Sequence, residues 1–448
     1  MKKSIVFLLI FLNSALFAQS KVEFNFLRYN DKIFLDSLDN SLYYKLKWIK
    51  LSNNNSIHLS FGGENRIQYQ YFNNENWDET LKDNNGFLLN RTLFHTNLKF
   101  GKTFRLFNEI QSSTSISRKN PNPLEENPLE MHQLFLDVSF NRFLLRIGRQ
   151  ELLYGSQRLI SVREGPNSRQ SFDALKLNYT KNNFSVDLIY GSQVQNKFGN
   201  FNDKLRTEIK LFGNYIIFKE VKFLDNIELY FFNLEKNKSE YNGVIGKENR
   251  SSLGTRIYGK YALWNYNFES LYQFGKIDNN KIKAWTISLD NNLSYSIVNL
   301  KQKLGFKTEY ISGDRATSNV IETFNPLFPK GAYFGLAALI GPSNLIDIHP
   351  YLETQINNKM NINVDYDVFW RASIFDGIYQ PNTSVLFQKS DSNSKMIGSQ
   401  LGVQFEYNIS NFLNFTIEGT WFNSEDFIKS VSNGKDIFFT ASTVTLKF

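Results

Sequence analysis

Charged side chains at alternate positions are the first sign of chemistry in this chain. Seven arginines, Arg66, Arg91, Arg146, Arg149, Arg163, Arg169 and Arg371, stand in alternating apolar and polar segments or in the loops between them. A guanidinium keeps its charge at any physiological pH and matches a carboxylate through two parallel hydrogen bonds, so arginines around a narrow passage would select anions bearing carboxylate or phosphate. Glu64, Asp173, Glu309, Asp365 and Asp367 are acidic partners expected in the same lumen. Catalysis is not indicated. His58, His95, His132 and His349 lie in separate segments with no GxSxG elbow, no HExxH and no His/Asp cluster, so they read as structural. Cysteine is absent, which excludes disulfide scaffolds and thiolate metal sites, and neither a cofactor nor a metal is expected.

The stretch from Phe143 to Gly191 shows what would position such residues. Leu145 and Ile147 flank Arg146 and Gly148, and Leu175, Leu177 and Tyr179 flank Lys176 and Asn178. Between these segments runs a loop with Arg158, Arg163, Glu164 and Arg169, too charged for a core and too broken by Gly and Pro for a helix. Strands with one apolar and one ionisable face suit a wall between lipid and water. Period-2 alternation places strands near 59–71, 92–100, 104–113, 131–140, 143–151, 173–180, 184–191, 207–218, 226–234, 251–261, 263–274, 283–295, 301–312, 346–357, 361–374, 398–409, 412–423 and 437–448. Their connections alternate in length. Long ones at 72–91, 114–130, 152–172, 192–206, 235–250, 275–282, 313–345, 375–397 and 424–436 are separated by short ones such as Gly101–Lys102, Asn141–Arg142 and Ser410–Asn411. Short periplasmic turns and long outer loops are the habit of outer-membrane barrels. The fold expected is therefore all-β, a transmembrane antiparallel β-barrel of about 18 strands, closed by a last strand that ends on Phe448. Loops 113–130 and 313–345 are long enough to enter the lumen or cover it.

Composition agrees. Aromatics make up 16% of 448 residues, with 42 Phe and 22 Tyr, yet mean hydropathy is −0.37; alternating strands reconcile the two. Residues 1–18 carry Lys2 and Lys3, an apolar run from Ile5 to Leu12 and small residues near Ala18. This is the pattern of a secretory signal peptide, too short for the roughly 20 apolar residues of a membrane helix. Residues 19–58 read as a periplasmic lead-in and 59–448 as the barrel. The formal charge of +8 comes from scattered lysines and arginines, without the clustered run that tracks nucleic acid. An anionic solute or lipopolysaccharide phosphate fits better.

LRIGRQELLYGSQRLISVREGPNSRQSFDALKL resembles the signature stretch of the alginate export family of outer-membrane proteins, and SGDRATSNVIETFNPLFPKGAYFG looks like its long-loop counterpart. NLIDIHPYLE, DVFWRASIFDGIY and IGSQL are similar too, so the likeness runs from about Leu59 to Phe448. It implies an eighteen-stranded outer-membrane barrel with a strongly electropositive pore that passes a polyuronate outward; passage is expected to be by passive diffusion, and a polymer exporter would need periplasmic export components at the short-turn end, a partner the sequence leaves open. Arg146, Arg149, Asn167 and Asp173 match the family motif, with Arg163 and Arg169 inside it. After SGD the family pattern often has a second acidic residue where this chain has Arg315, which nudges the mouth toward positive. A general anion-selective porin for small solutes shares every feature except the solute, and a barrel enzyme is the more distant alternative.

Overall fold

The computed structural model describes residues 22–34, 41–54, 56–78, 85–315 and 319–448; the expected signal segment 1–18 and parts of the lead-in and of the 72–91 and 313–345 connections lie outside them. The described chain is built on eighteen long strands: β1 (Ile57–Asn73), β2 (Phe87–Phe100), β3 (Phe104–Ile116), β4 (Asn127–Phe140), β5 (Phe143–Gln150), β6 (Phe172–Lys181), β7 (Phe184–Gln195), β8 (Ile209–Val221), β9 (Asp225–Tyr241), β10 (Val244–Tyr261), β11 (Trp264–Ile277), β12 (Asn280–Ile297), β13 (Leu300–Ile311), β14 (Leu345–Gln355), β15 (Met360–Arg371), β16 (Met396–Asn408), β17 (Leu413–Ser424) and β18 (Ile437–Lys447). Each pairs antiparallel with the next, and β18 returns to β1 with Phe438 opposite Asn73 and Lys447 opposite Glu64. The predicted barrel is thus present, strand for strand. Closure gives every wall strand two partners, which hydrocarbon demands because it offers none of its own.

Burial is inverted relative to a soluble protein. Phe104, Leu188, Leu253, Tyr272 and Trp421 are exposed, while Gln68, Arg91, Glu109, Gln133 and Gln273 are buried. Outward aromatics form two belts, with Phe100, Phe104, Phe140, Phe143 and Tyr261 near the short turns and Tyr69, Tyr190, Tyr272 and Trp421 toward the long loops. Two connections expected to be long are instead the tips of tall hairpins. Tyr241 pairs with Val244 across Asn242-Gly243, and Ile277 pairs with Asn280. Asn242 and Gly243 both take positive φ, the geometry of a two-residue hairpin turn. Above the lipid no apolar face is required, so alternation fades while the backbone ladder continues.

Two loops fold into the barrel. The segment after β5 and the one after β13 join where Ile160 bridges Phe328, with the Ser161 N–H donating to the Phe328 carbonyl at 3.0 Å. Leu152, Tyr154, Leu159, Phe324 and Phe334 pack there with the wall residues Phe172, Phe232, Phe369 and Phe422 as one apolar core inside the cylinder. Loop 117–126 lies across this assembly, its Leu124 carbonyl accepting from Ser168 N–H at 2.8 Å. At the other end the lead-in sits against the closing seam: the Arg28 guanidinium donates to the Gly63 carbonyl at 2.8 Å and to the Phe448 carbonyl at 3.3 Å.

The seam leaves no room at Gly63, where a Cβ would stand 2.3 Å from the Leu93 carbonyl oxygen and 2.6 Å from the Phe448 ring. Gly63→Ala should cost about 2 kcal/mol, seen as a lower midpoint of the heat-induced mobility shift on gels. Gly419→Ala, with nothing within 4 Å, should leave that midpoint unchanged.

Candidate functional site

A carboxylate on the inward-folded loop gathers the arginines that the sequence scatters. Glu164 lies in the loop after β5, and Arg66 from β1, Arg91 from β2 and Arg169 from the same loop converge on it. Arg66 stands 3.7 Å away and Arg169 3.2 Å, while Arg91 makes a direct ion pair with Glu164 and a second with Glu64 at 2.8 Å. Arg66 also donates to the Glu164 and Pro166 carbonyls at 2.9 and 2.8 Å, clamping the loop backbone. Arg169 reaches Glu151 at 2.9 Å, and Glu151 reaches His132 at 2.8 Å. Burial alone would raise the Glu164 pKa, but Arg91, Arg169 and Arg66 outweigh it and hold the carboxyl at about 2. Three cations are therefore neutralised by Glu64, Glu151 and Glu164.

This loop divides the interior. On the outer side is a cavity of about 1030 Å³ whose lining includes Arg163 and Gln170; on the periplasmic side is one of about 640 Å³ that reaches Glu164 and Arg169. Neighbouring residues of one loop thus face opposite compartments. The outer cavity is also lined by Arg206, Lys236 and Lys238 against, among the described residues, a single acid, Glu240, with Gln193, Gln195 and Asn325 as neutral hydrogen-bonding groups. Among the described residues Arg163 is paired with no carboxylate; it donates to the Pro329 and Pro381 carbonyls at 3.4 and 3.1 Å. Burial, helped by repulsion from Arg206, lowers its pKa to about 10, so it stays charged at neutral pH.

The remaining expected residues fall elsewhere. Arg146 points inward and is bound by Asp137 at 2.7 Å, its guanidinium 4.0 Å from the centre of the Tyr29 ring contributed by the lead-in. Arg149 is a correction. It shares its side of β5 with Leu145 and Ile147, registers with the exposed Leu134, and pairs with Asp173 at 2.8 Å on the outer face of the wall. Arg371 is a second. Its guanidinium lies 3.9 Å from the Phe427 ring centre and donates to the carbonyls of Ile374, Ser392 and Ser394, tying an outer loop down instead of lining a passage. Arg315, expected to make the mouth more positive, pairs with Glu322 at 3.1 Å.

Among the acidic residues, Glu64 does partner an arginine of the set, whereas Asp173, expected in the lumen, is corrected with Arg149 to the outer face, on the side of β6 that carries Leu175 and Leu177. Glu309 is taken by Arg158 and by Tyr333, whose hydroxyl stands 3.1 Å away. Asp365 and Asp367 face His349. Arg206, Lys236 and Lys238 were missed because they sit in stretches that read as solvated loops. Hairpin height brings them to one cavity, and no local spacing announces that.

The architecture is shared with solved barrels. Pseudomonas aeruginosa OccK11 (OpdR) superposes with a TM-score of 0.55 at 12% identity, covering 88% of this chain and 96% of that one. OccD3 (OpdP) of the same organism gives 0.57 at 11%, covering 90% and 93%. OccK2 (OpdF), determined in complex with glucuronate, gives 0.56 at 10%, covering 88% and 98%. No curated protein sequence matches the chain. The alginate export family model matches residues 57–436, nearly the whole of this outer-membrane channel barrel, and the chain belongs to that family.

Proposed function

We propose that the barrel passes uronate-type saccharide anions, as oligosaccharides or a threaded polysaccharide, across the outer membrane by passive diffusion. The observation that carries this reading is the outer cavity, where Arg163, Arg206, Lys236 and Lys238 meet one carboxylate beside neutral amides. Guanidinium and ammonium groups suit a uronate carboxylate, and Gln193, Gln195 and Asn325 suit its hydroxyls. Family membership supports a uronate polymer, and OccK2, of the same fold, has been seen with glucuronate. The partition by the Glu164 loop favours a second reading, an anion-selective porin for small solutes, because a polymer would have to displace that loop. Residues 1–18 act in this proposal as a cleaved signal peptide; the mature protein should begin near residue 19, and N-terminal sequencing that recovers Met1 would remove that element. Lipopolysaccharide around the wall and periplasmic export components at the short-turn end complete the set of proposed partners.

Planar-bilayer conductance tests the passage directly. Arg163→Glu should lower the anion-to-cation permeability ratio by roughly threefold or more and raise the glucuronate concentration for half-block about tenfold. Unaltered reversal potential and unaltered block would take Arg163 out of the path. If small anions pass freely while oligouronates neither block nor permeate, the small-solute reading prevails.

Glu164→Gln should leave three guanidiniums short of one charge and loosen the partition, raising both conductance and anion selectivity. The depressed folded-state pKa of Glu164 means its contribution is present above about pH 4.5 and is lost as pH falls toward 2. Wild-type conductance should therefore show no step from this group between pH 5 and 8, and a titration centred near neutrality that disappears in the variant would contradict the assignment.

A further inference from the structure

We propose that Asp347, His349 and Asp367 form a site for one divalent cation of the zinc or manganese class, set in the wall beneath the inward-folded loop. Asp347 and His349 are alternate residues of β14, so both point inward. Ile348 registers with Val368 and Tyr351 with Asp365, which sets His349 across from Asp367 on β15. One donor atom from each of the three residues lies within 4.8 Å of the others. Donors that share one ion at about 2.1 Å stand no more than about 4.2 Å apart, so a small inward shift of these side chains brings all three onto one ion.

The second observation concerns unmet need. Asp347 and Asp367 are 2% and 0% exposed. Asp367 Oδ1 lies against His349 Nδ1, whereas Asp347 Oδ1 is buried without a hydrogen-bond partner among the described residues. A buried carboxylate without compensation is costly, and two side by side are costlier still. The neighbouring charges do not supply the deficit. Lys307 registers opposite His349, while Arg158 is already shared by Glu309 and Glu269. With His349 neutral, as a metal-ligating imidazole must be, Asp347, Asp365 and Asp367 meet one ammonium among the described residues, and the shortfall of two charges equals that of a divalent ion. An imidazole among carboxylates favours zinc or manganese over calcium or magnesium, which prefer all-oxygen shells.

The second histidine–carboxylate cluster, Glu109, His132 and Glu151, also leaves one oxygen of each carboxylate without a partner among the described residues, but it differs in charge, because the Arg169 guanidinium sits 2.9 Å from Glu151. Location suggests what the ion does. Gln400 donates to Asp367 at 3.1 Å and to the Phe334 carbonyl at 2.7 Å, so a cation here would fix the seat on which the loop after β13 rests.

The test is calorimetric titration of Zn2+ into the chelator-treated, detergent-folded full barrel, with Mn2+ and Ca2+ in parallel. One equivalent of Zn2+ should bind, Ca2+ at least about tenfold more weakly, and Asp347→Asn or His349→Gln should weaken Zn2+ by more than about tenfold. Glu151→Gln should bind like wild type. Absence of saturable binding to the wild-type barrel overturns the proposal, as does binding retained in Asp347→Asn and lost in Glu151→Gln. Should the variants fail to show the heat-modifiable mobility of a folded barrel, Co2+ absorption on the wild-type protein decides: a spectrum without nitrogen ligation counts against His349.

Discussion

A sheet in hydrocarbon cannot keep a free edge, and this constraint shapes the molecule. Each unpaired N–H or C=O facing lipid would cost several kcal/mol, so the first and last strands must find each other across the length of the chain. The seam where they meet is reinforced beyond the ladder. Gly63 exchanges backbone hydrogen bonds with Phe448 at 2.8 and 2.9 Å, and the lead-in's Arg28 joins both carbonyls. Closure in turn creates a cylinder wide enough to receive two loops, and their packing inside it sets the shape of the interior.

What fills the cylinder changes the meaning of its charges. An arginine on an inward strand face reads as an open cation when only the sequence is considered. Inside, Arg66, Arg91 and Arg169 are consumed by Glu64, Glu151 and Glu164, and Arg146 by Asp137. Exposed ion pairs contribute little to stability, but buried ones that also clamp a backbone fix geometry, because losing either partner strands the other. The paired arginines therefore read as loop anchors. The outer cavity holds the cations for which no carboxylate partner is found among the described residues, Arg163, Arg206, Lys236 and Lys238.

Strand number, strand parity and the rhythm of turns were legible because one face touches lipid, and period 2 records that contact residue by residue. Even Arg149 was legible in principle: it has the parity of Leu145 and Ile147, and alternation puts it outside, although its place in a motif argued otherwise. Hairpin height was less so, since above the membrane Glu235 to Glu240 carries no apolar face and looks like loop while the ladder from Lys236 to Tyr241 persists. The partners of Glu164 were not legible. They lie 73 and 98 positions away for Arg91 and Arg66, joined by a loop conformation that no local spacing encodes.

The same chemistry that seals the interior also suits the proposed solute. Glu164 offers the three guanidiniums a carboxylate, and a uronate offers them another of the same kind. A saccharide anion arriving from either cavity could replace Glu164 contact by contact, so that no arginine need be left bare in the low-dielectric interior at any stage. A chloride or phosphate ion could compensate the charge, but would match the planar, two-oxygen geometry of the departing carboxylate less well. On the proposed reading a polymer of uronates would repeat the exchange at each residue, and a partition made of salt bridges would then discriminate where an open hole of equal width would not.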